Sequence, residues 1–331
     1  MRREIIFMGK KSVPRFLLLF VLGLLFSSAL FAAGVHEESR ADTIAVSILP
    51  MKYFADRITG GELEVTVLVP PGKSPATYEP TPRQVSALSK SAILFTIGVP
   101  FERSFIPTIA STLPNLKIVD TSAGIEKREI QSSIESDSHD QEDHADHEDH
   151  DEHADHDHGE HDDHSHDSGL PDPHIWLSPS LVKIQAGHML NALITLYPEK
   201  KDTYTENYRS FVEDLDRLHT DLRGILAPVK GSSILVYHPS FGYFAEEFGL
   251  SQIPIELGGN EPTPRLLEKV IDLARERDIR VIFVQPEFSR TSAERVADAI
   301  GGAVVEVAPL KPDYLENMYE IAAKIEAGIL R

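Results

Sequence analysis

Short runs of apolar, often β-branched residues alternate with helix-length segments in two separate parts of the sequence. The first series begins at Thr43 with TIAVSILP and continues through a helical stretch from Met51, EVTVLVP, TPRQVSALSKS, AILFTIG, a segment from Glu102, and LKIVD, which ends at Asp120. This alternation is typical of βαβ units, whose strands lie parallel in one sheet. The first series therefore predicts an α/β lobe with a parallel four-stranded sheet.

The same alternation returns at Ser232. The apolar runs SSILVYHPS, SQIPIEL, VIFVQP and AVVEVAPL are separated by helix-length segments and followed by a last helical segment from Pro312. In the segment PRLLEKVIDLARERD the apolar residues fall on one face at helical spacing, which is typical of a helix that covers a sheet. The second series predicts another α/β lobe of the same kind.

A single long amphipathic pattern lies between the two series. Its apolar residues recur at steps of three and four from Tyr204 to Ile225, which predicts one helix from about Glu199 to Ala227 with Pro198 at its start. At about 1.5 Å per residue this helix would be roughly 43 Å long, enough to run past both lobes. The predicted fold is α/β, with two lobes that each contain a parallel four-stranded sheet and that are joined by one long backbone helix.

The N-terminal residues have the pattern of a signal peptide. Five basic residues within the first 15 precede an apolar run from Phe16 to Phe26, and small residues follow up to Gly34. Because the apolar run is shorter than the roughly 20 residues that span a bilayer, we expect cleavage and not a permanent anchor. The sequence has no cysteine, so it offers neither a lipid-modified cysteine nor a disulfide. These features predict a periplasmic protein.

The same patterns set the predicted domain boundaries. After the signal peptide the chain has 297 residues, enough for two domains at about 150 residues each. The predicted segments are the signal peptide at 1–34, the first lobe at 35–134 and 170–198, a histidine-rich loop at 135–169, the linker helix at 199–228, and the second lobe at 229–331.

The histidine tract, residues 135–169, has an unusual composition. Residues 135–167 hold 16 Asp and Glu, ten His and no Lys or Arg. So few apolar residues cannot offset the roughly 1–2 kcal/mol per residue that ordering a backbone costs, which predicts a disordered loop. Imidazoles bind divalent metals and carboxylates attract them, so the tract predicts several weak metal sites. Its histidines are His139, His144, His147, His150, His153, His156, His158, His161, His164 and His166.

The net charge of the chain reflects this tract. The formal charge is −20, and the residues outside the tract carry only −4 of it. A mildly acidic body is not expected to bind nucleic acid or an anionic membrane surface. An acidic, solvated loop without a metal function is the alternative reading of the tract.

Two histidines outside the tract occupy positions typical of a packed metal site. His174 lies in DPHIWLSP, just after the tract, and His238 lies in SSILVYHPS, at the end of the first strand of the second lobe. In open α/β sheets, ligands bind at the carboxyl ends of the strands. The pair therefore predicts a metal site with contributions from both lobes, and its fixed geometry would select the metal.

Eight motifs across the mature chain follow one another in the order of a known family. They are PPGKSPATYEPTP, IGVPFE, the acidic histidine tract, DPHIWLSP, YHPSFGYFAEEFGL, EPTPRLLEKVI, VQPEFS and APLKPDYLENM. In these motifs the chain resembles the ZnuA-like solute-binding proteins, the periplasmic zinc and manganese receptors of ABC importers. The resemblance implies two α/β lobes, a metal ion in the cleft between them, an inner-membrane ABC permease as partner, a monomeric state and no enzymatic activity.

The resemblance also implies four metal ligands, and the chain matches two of them. Family members place a histidine at the position of His174 and a His or Glu at that of His238. They commonly have a histidine where this chain has Ala76 and a carboxylate where it has Ala308. A site with only two protein ligands would bind zinc weakly, since closed tetrahedral zinc sites use four.

Three carboxylates are candidates to complete the site. Glu79 lies three residues beyond Ala76, Glu287 follows the strand VIFVQP, and Glu256 ends the strand SQIPIEL. Water or histidines of the tract are alternatives to all three.

The function that the sequence favours is high-affinity periplasmic capture of Zn²⁺ and its delivery to an ABC permease. The tract would hold metal at high local concentration near the cleft, or buffer or sense it. Imidazole ligands favour Zn²⁺ over Mn²⁺. A metal buffer and a Mn²⁺ receptor are the alternatives. A zinc hydrolase is disfavoured because the sequence lacks HExxH, GxSxG and Walker motifs.

Overall fold

The computed structural model describes residues 43–131, 170–256 and 260–331. The predicted signal peptide and the histidine tract with its ten predicted ligands lie outside these residues. No helix within the described part of the chain is long and apolar enough to cross a membrane.

The first lobe contains a parallel four-stranded sheet with the strand order β2-β1-β3-β4. Its strands are β1 (Thr43–Val46), β2 (Glu64–Val67), β3 (Ile93–Thr96) and β4 (Lys117–Asp120). The connecting helices are α1 (Leu49–Thr59), α2 (Pro82–Leu88) and α3 (Glu102–Thr112). All four residues of β3 are buried, as expected for an inner strand covered on both faces.

Two helices follow the first sheet, α4 (Pro179–Leu196) and α5 (Lys201–Leu226). Helix α5 is the predicted linker, and short 3₁₀ turns at Pro198–Lys200 and Ala227–Val229 extend it at both ends. Its apolar stripe is buried, as the spacing predicts. Helix α4 falls in a segment that the sequence analysis assigned to the first lobe without predicting a helix there.

The second lobe repeats the topology of the first, with a parallel sheet in the order β6-β5-β7-β8. Its strands are β5 (Ser233–Val236), β6 (Ser251–Pro254), β7 (Val281–Val284) and β8 (Ala303–Glu306). Its helices are α6 (Gly242–Phe248), α7 (Pro264–Glu276), α8 (Arg290–Ile300) and α9 (Tyr314–Ile329). The predicted fold class is thereby confirmed.

One hydrophobic core runs from the first lobe through α5 into the second. Phe54 of α1 packs on Phe211 of α5 at 5.8 Å and edge-on against Tyr314 of α9 at 5.0 Å, as measured between ring centroids. Aromatic contacts of this kind add about 0.5–1.5 kcal/mol each beyond the area they bury. The two lobes are therefore held together by packed side chains and not by a flexible linker.

Candidate metal centre

His174 and His238 meet in the cleft between the lobes. His238 lies two residues beyond β5, which pairs with β6 on one side and β7 on the other, so it is at the point where the strand order reverses. His174 precedes the 3₁₀ turn Ile175–Leu177, which leads into α4. Both side chains are almost fully buried. Their Nε2 atoms are 3.3 Å apart and their ring planes are inclined at 75°.

A buried carboxylate contacts the other ring nitrogen of each histidine. Asp172 Oδ1 lies 2.7 Å from His174 Nδ1, and Glu256 Oε1 contacts His238 Nδ1. Both carboxylates are completely buried. Because an ionised carboxylate can only accept a hydrogen bond, each Nδ1 carries the proton and each Nε2 keeps its lone pair. Both lone pairs are thus available to a metal ion in the cleft.

Burial also controls the charge of His238. Loss of solvent lowers the pKa of this imidazole below its ordinary value, and the effect of burial exceeds the opposing effect of the Glu256 hydrogen bond. The neutral imidazole is the form that binds a metal. His238 is therefore ready to act as a ligand at neutral pH.

Gln285, the residue after β7, fixes the loop that carries His238. Its Nε2 donates to the carbonyl of His238 and to Ser240 Oγ, both at 2.9 Å, and its Oε1 accepts from the backbone N–H of His238 at 3.3 Å. Phe288 stacks on the imidazole with 4.7 Å between ring centroids. Both the backbone and the ring of His238 are therefore fixed by packing.

Trp176 joins the His174 loop to the opposite lobe. Its indole Nε1 donates to the carbonyl of Pro309 at 3.1 Å, and its ring lies 5.1 Å from that of His174 between centroids. The indole is almost fully buried. The loop that carries His174 is thus linked to the segment after β8 of the second lobe by a direct hydrogen bond as well as by the core.

A cavity of about 120 Å³ lies next to the two Nε2 atoms. The loop after β2 contributes Ala76, helix α3 contributes Arg103, and the segment after β7 contributes Glu287 and Phe288. Most of the wall is apolar. The cavity lies between the carboxyl ends of the two sheets, where the sequence predicts a ligand.

The three carboxylates predicted as further ligands occupy different positions. Glu287 lines the cavity, where burial raises the pKa of its carboxyl, and it interacts electrostatically with His238. Glu256 lies behind His238, on the Nδ1 side of the ring. Glu79 is exposed and does not line the cavity. Within residues 43–131, 170–256 and 260–331, no three His, Asp or Glu side chains form a group that could hold a metal ion.

Asp172 and Gln285 are among the residues of the site that the sequence did not predict. Asp172 lies two positions before His174, and its place in the motif DPH was the available signal. Gln285 gave no such signal, because a glutamine at a strand end has many possible partners.

The residues that flank the histidine tract lie at the rim of the same cavity. Ile130 N–H donates to the carbonyl of Leu170 at 2.9 Å, and Asp172 N–H donates to the carbonyl of Arg128 at 2.8 Å. Ile130, Leu170 and Pro171 all line the cavity. The chain therefore leaves for the tract and returns from it beside the two histidines.

Comparison with known proteins agrees with this architecture. Residues 44–328 match the family model "ZnuA: Zinc-uptake complex component A periplasmic". The high-affinity zinc uptake system protein ZnuA of Bacillus subtilis is 28% identical over 273 residues, covering 80% of this chain and 77% of that protein. The protein of the same name from Yersinia pestis is also 28% identical over 273 residues, covering 82% and 83%.

Two similar crystal structures are those of ZnuA and of a ZnuA deletion mutant with zinc bound. Each has a TM-score of 0.72 and 34% sequence identity, and each comparison covers 86% of this chain. The matches cover 98% and 97% of the respective ZnuA chains. Proteins of this family bind Zn²⁺ or Mn²⁺ as transported ligands and are not enzymes. The chain belongs to the ZnuA family of extracytoplasmic metal-binding proteins that serve ABC permeases.

Proposed function

We propose that this protein captures Zn²⁺ in the periplasm with His174 and His238 and delivers it to an inner-membrane ABC permease. The observation that carries the proposal is the 3.3 Å between the two Nε2 atoms. Zinc–nitrogen bonds of about 2.0–2.1 Å at a tetrahedral angle hold two nitrogens roughly 3.3–3.4 Å apart. The cleft thus presents two imidazole nitrogens at a separation that matches a tetrahedral zinc complex.

The type of ligand supports zinc over manganese. Both candidate ligands are imidazoles, which suit Zn²⁺, whereas Mn²⁺ prefers sites rich in carboxylate oxygen. Asp172 and Glu256 contribute their charge through the imidazoles, and Glu287 contributes its charge from the cavity wall. These carboxylates offset the charge of the ion. Glu79 has no part in this proposal.

The placement of the two histidines also provides a route for release. His174 comes from the segment that follows the sheet of the first lobe, and His238 comes from the second lobe. A permease that binds both lobes and moves them apart would separate the two nitrogens and so weaken binding of the metal. No change in the chemistry of either ligand is needed for release.

We also propose that the histidine tract supplies metal to the cleft. Its flanking residues lie at the cavity rim, so metal bound to the tract has a high effective concentration at His174 and His238. Deletion of residues 136–168 is expected to remove several weak zinc sites and to leave one tight site, as counted by calorimetry. Loss of the tight site as well would mean that the tract belongs to the primary site.

The uptake function is tested by complementation of a strain that lacks its own periplasmic zinc receptor but keeps the permease. The wild-type protein is expected to restore growth at limiting zinc, and His174→Ala or His238→Ala is expected to fail at equal protein levels. Manganese uptake in a matched manganese-receptor mutant is expected to stay unrestored. A protein that binds zinc tightly in vitro but restores no uptake would be a metal buffer.

A further inference from the structure

The cavity beside the two imidazoles is larger than a metal ion needs. Its volume is about 120 Å³. At the roughly 30 Å³ that a water molecule takes up in the liquid, the cavity has room for about four water-sized groups. That space fits the head group of a small organic molecule, such as the carboxylate and amine of an amino acid, next to the ion.

The wall of the cavity has the character of a binding site for a small organic molecule. Pro75, Val99 and Trp176 give it apolar surface, and Arg103 adds one guanidinium group. Arg103 forms no ion pair with any other residue in the described part of the chain. A guanidinium in this position matches the planar geometry of a carboxylate.

The described residues leave coordination positions of a zinc ion open. The two Nε2 atoms account for two of the four positions of tetrahedral zinc. No third His, Asp or Glu joins them in a metal-binding group among the residues that the structure describes. Ala76 lines the cavity with a methyl group that cannot bind a metal.

We propose that the cleft takes up zinc as a complex with a small carboxylate-bearing chelator of amino-acid size. The donors of the chelator fill the positions that His174 and His238 leave open, and a carboxylate of the chelator pairs with Arg103. The chelator occupies the apolar space between Ala76 and Phe288. This inference rests on the proposed function, since it assumes that the two histidines bind the metal.

Equilibrium dialysis with radiolabelled L-histidine or citrate tests the proposal on the full-length protein. With one equivalent of zinc, we expect the wild-type protein to retain one of these probes, and without zinc we expect no retention. Histamine, which has the amine and imidazole of L-histidine but no carboxylate, is expected to be retained at least about tenfold more weakly, because it lacks a charge-assisted hydrogen bond.

Variants distinguish the cleft from the histidine tract. Arg103→Gln is expected to weaken retention of L-histidine or citrate by about tenfold, whereas Arg83→Gln, an exposed arginine of α2 outside the cavity, is expected to have no effect. Retention that survives in the His174→Ala/His238→Ala double variant would belong to the tract and would overturn the assignment to the cleft.

A gain of a protein ligand provides the converse test. Ala76→His places a third imidazole on the cavity wall, so zinc should bind more tightly without any chelator and retention of L-histidine should fall. If the wild-type protein bound zinc tightly through His174 and His238 and yet retained neither L-histidine nor citrate, the chelator proposal would be overturned and the proposed receptor function would stand. If neither His174→Ala nor His238→Ala weakened zinc binding, the proposed function itself would be overturned.

Discussion

The Nε2 atoms of His174 and His238 lie 3.3 Å apart although the residues are separated by 64 positions in the sequence. Asp172 and Glu256 hold the rings from behind, and neither carboxylate is exposed to solvent. Two imidazoles held at the separation of a zinc complex would lose little conformational entropy on binding an ion. Under the proposed function, the cleft is therefore preorganised for the ion.

The first prediction concerns these two ligands. His174→Ala and His238→Ala are each expected to weaken zinc binding by more than about 100-fold, because a lost ligand costs more than the 10–100-fold that a lost supporting contact costs. Calorimetry on protein that lacks residues 136–168 measures the zinc affinity of the cleft without a contribution from the tract. His188→Ala is the matched control, since His188 lies on α4, hydrogen-bonds to the carbonyl of Ala123 at 2.9 Å and does not line the cavity.

The second prediction concerns the carboxylates behind the imidazoles. Asp172→Asn keeps an oxygen that can accept from His174 Nδ1 but removes its charge, and Glu256→Gln does the same for His238. Each change is expected to weaken zinc binding by about 10–100-fold. Circular dichroism and thermal unfolding check that the fold is retained. Unchanged affinity in both variants would show that these charges do not act on the metal.

Most of the fold was predictable because the strands and most of the helices have a periodic apolar pattern. Alternation predicts the eight strands and their parallel pairing, and spacing of three and four residues predicts α5. Helix α4 lacks such a signal, because apolar residues surround much of it and it has no continuous polar face.

The candidate site was predictable only in part. His174 and His238 are placed by their motifs and by the strand end, but a sequence does not tell which atom of a histidine a carboxylate faces. Glu256 was predicted as a ligand from its place at a strand end, and its contact with Nδ1 gives it a role in orienting His238. The roles of Asp172 and Gln285 depend on the geometry of loops, which no periodic pattern encodes.

The third prediction concerns the pH dependence of folding. Glu102 at the start of α3 is almost fully buried and accepts a hydrogen bond from Gly98 N–H at 2.7 Å. Burial raises the pKa of this carboxyl above its ordinary value of 4.5, despite the opposing hydrogen bonds. The folded protein therefore holds this proton more firmly than the unfolded chain, and the stability from Glu102 is lost as pH rises through its folded pKa.

Glu102→Gln cannot ionise, so the variant does not lose stability at this position as pH rises. The free energy of unfolding of the variant minus that of wild type is expected to be larger, meaning a more stable variant, at pH 7 than at pH 4, as measured by urea unfolding of metal-free protein. Glu126→Gln, at an exposed position, controls for the general effect of acid. If the free energies of unfolding of variant and wild type differed by the same amount at both pH values, the raised pKa of Glu102 would be contradicted.

The fourth prediction concerns Gln285, which supports His238 from β7. Gln285→Ala removes three hydrogen bonds to the segment from His238 to Ser240 and leaves buried polar groups unsatisfied. We expect a loss of about 1–3 kcal/mol in the free energy of unfolding. Because the loop then no longer holds the imidazole at one position, we also expect zinc binding to weaken by about tenfold, within the range for supporting contacts.

Gln252→Ala is the matched control for this change. Gln252 is also buried, it accepts from Phe241 N–H at 3.0 Å in the same loop, and it does not line the cavity. It should lose comparable stability with little change in zinc affinity. Calorimetry and urea unfolding on the same preparations separate the two effects. Equal loss of zinc affinity in both variants would mean that loop stability in general, and not the position of His238, controls metal binding.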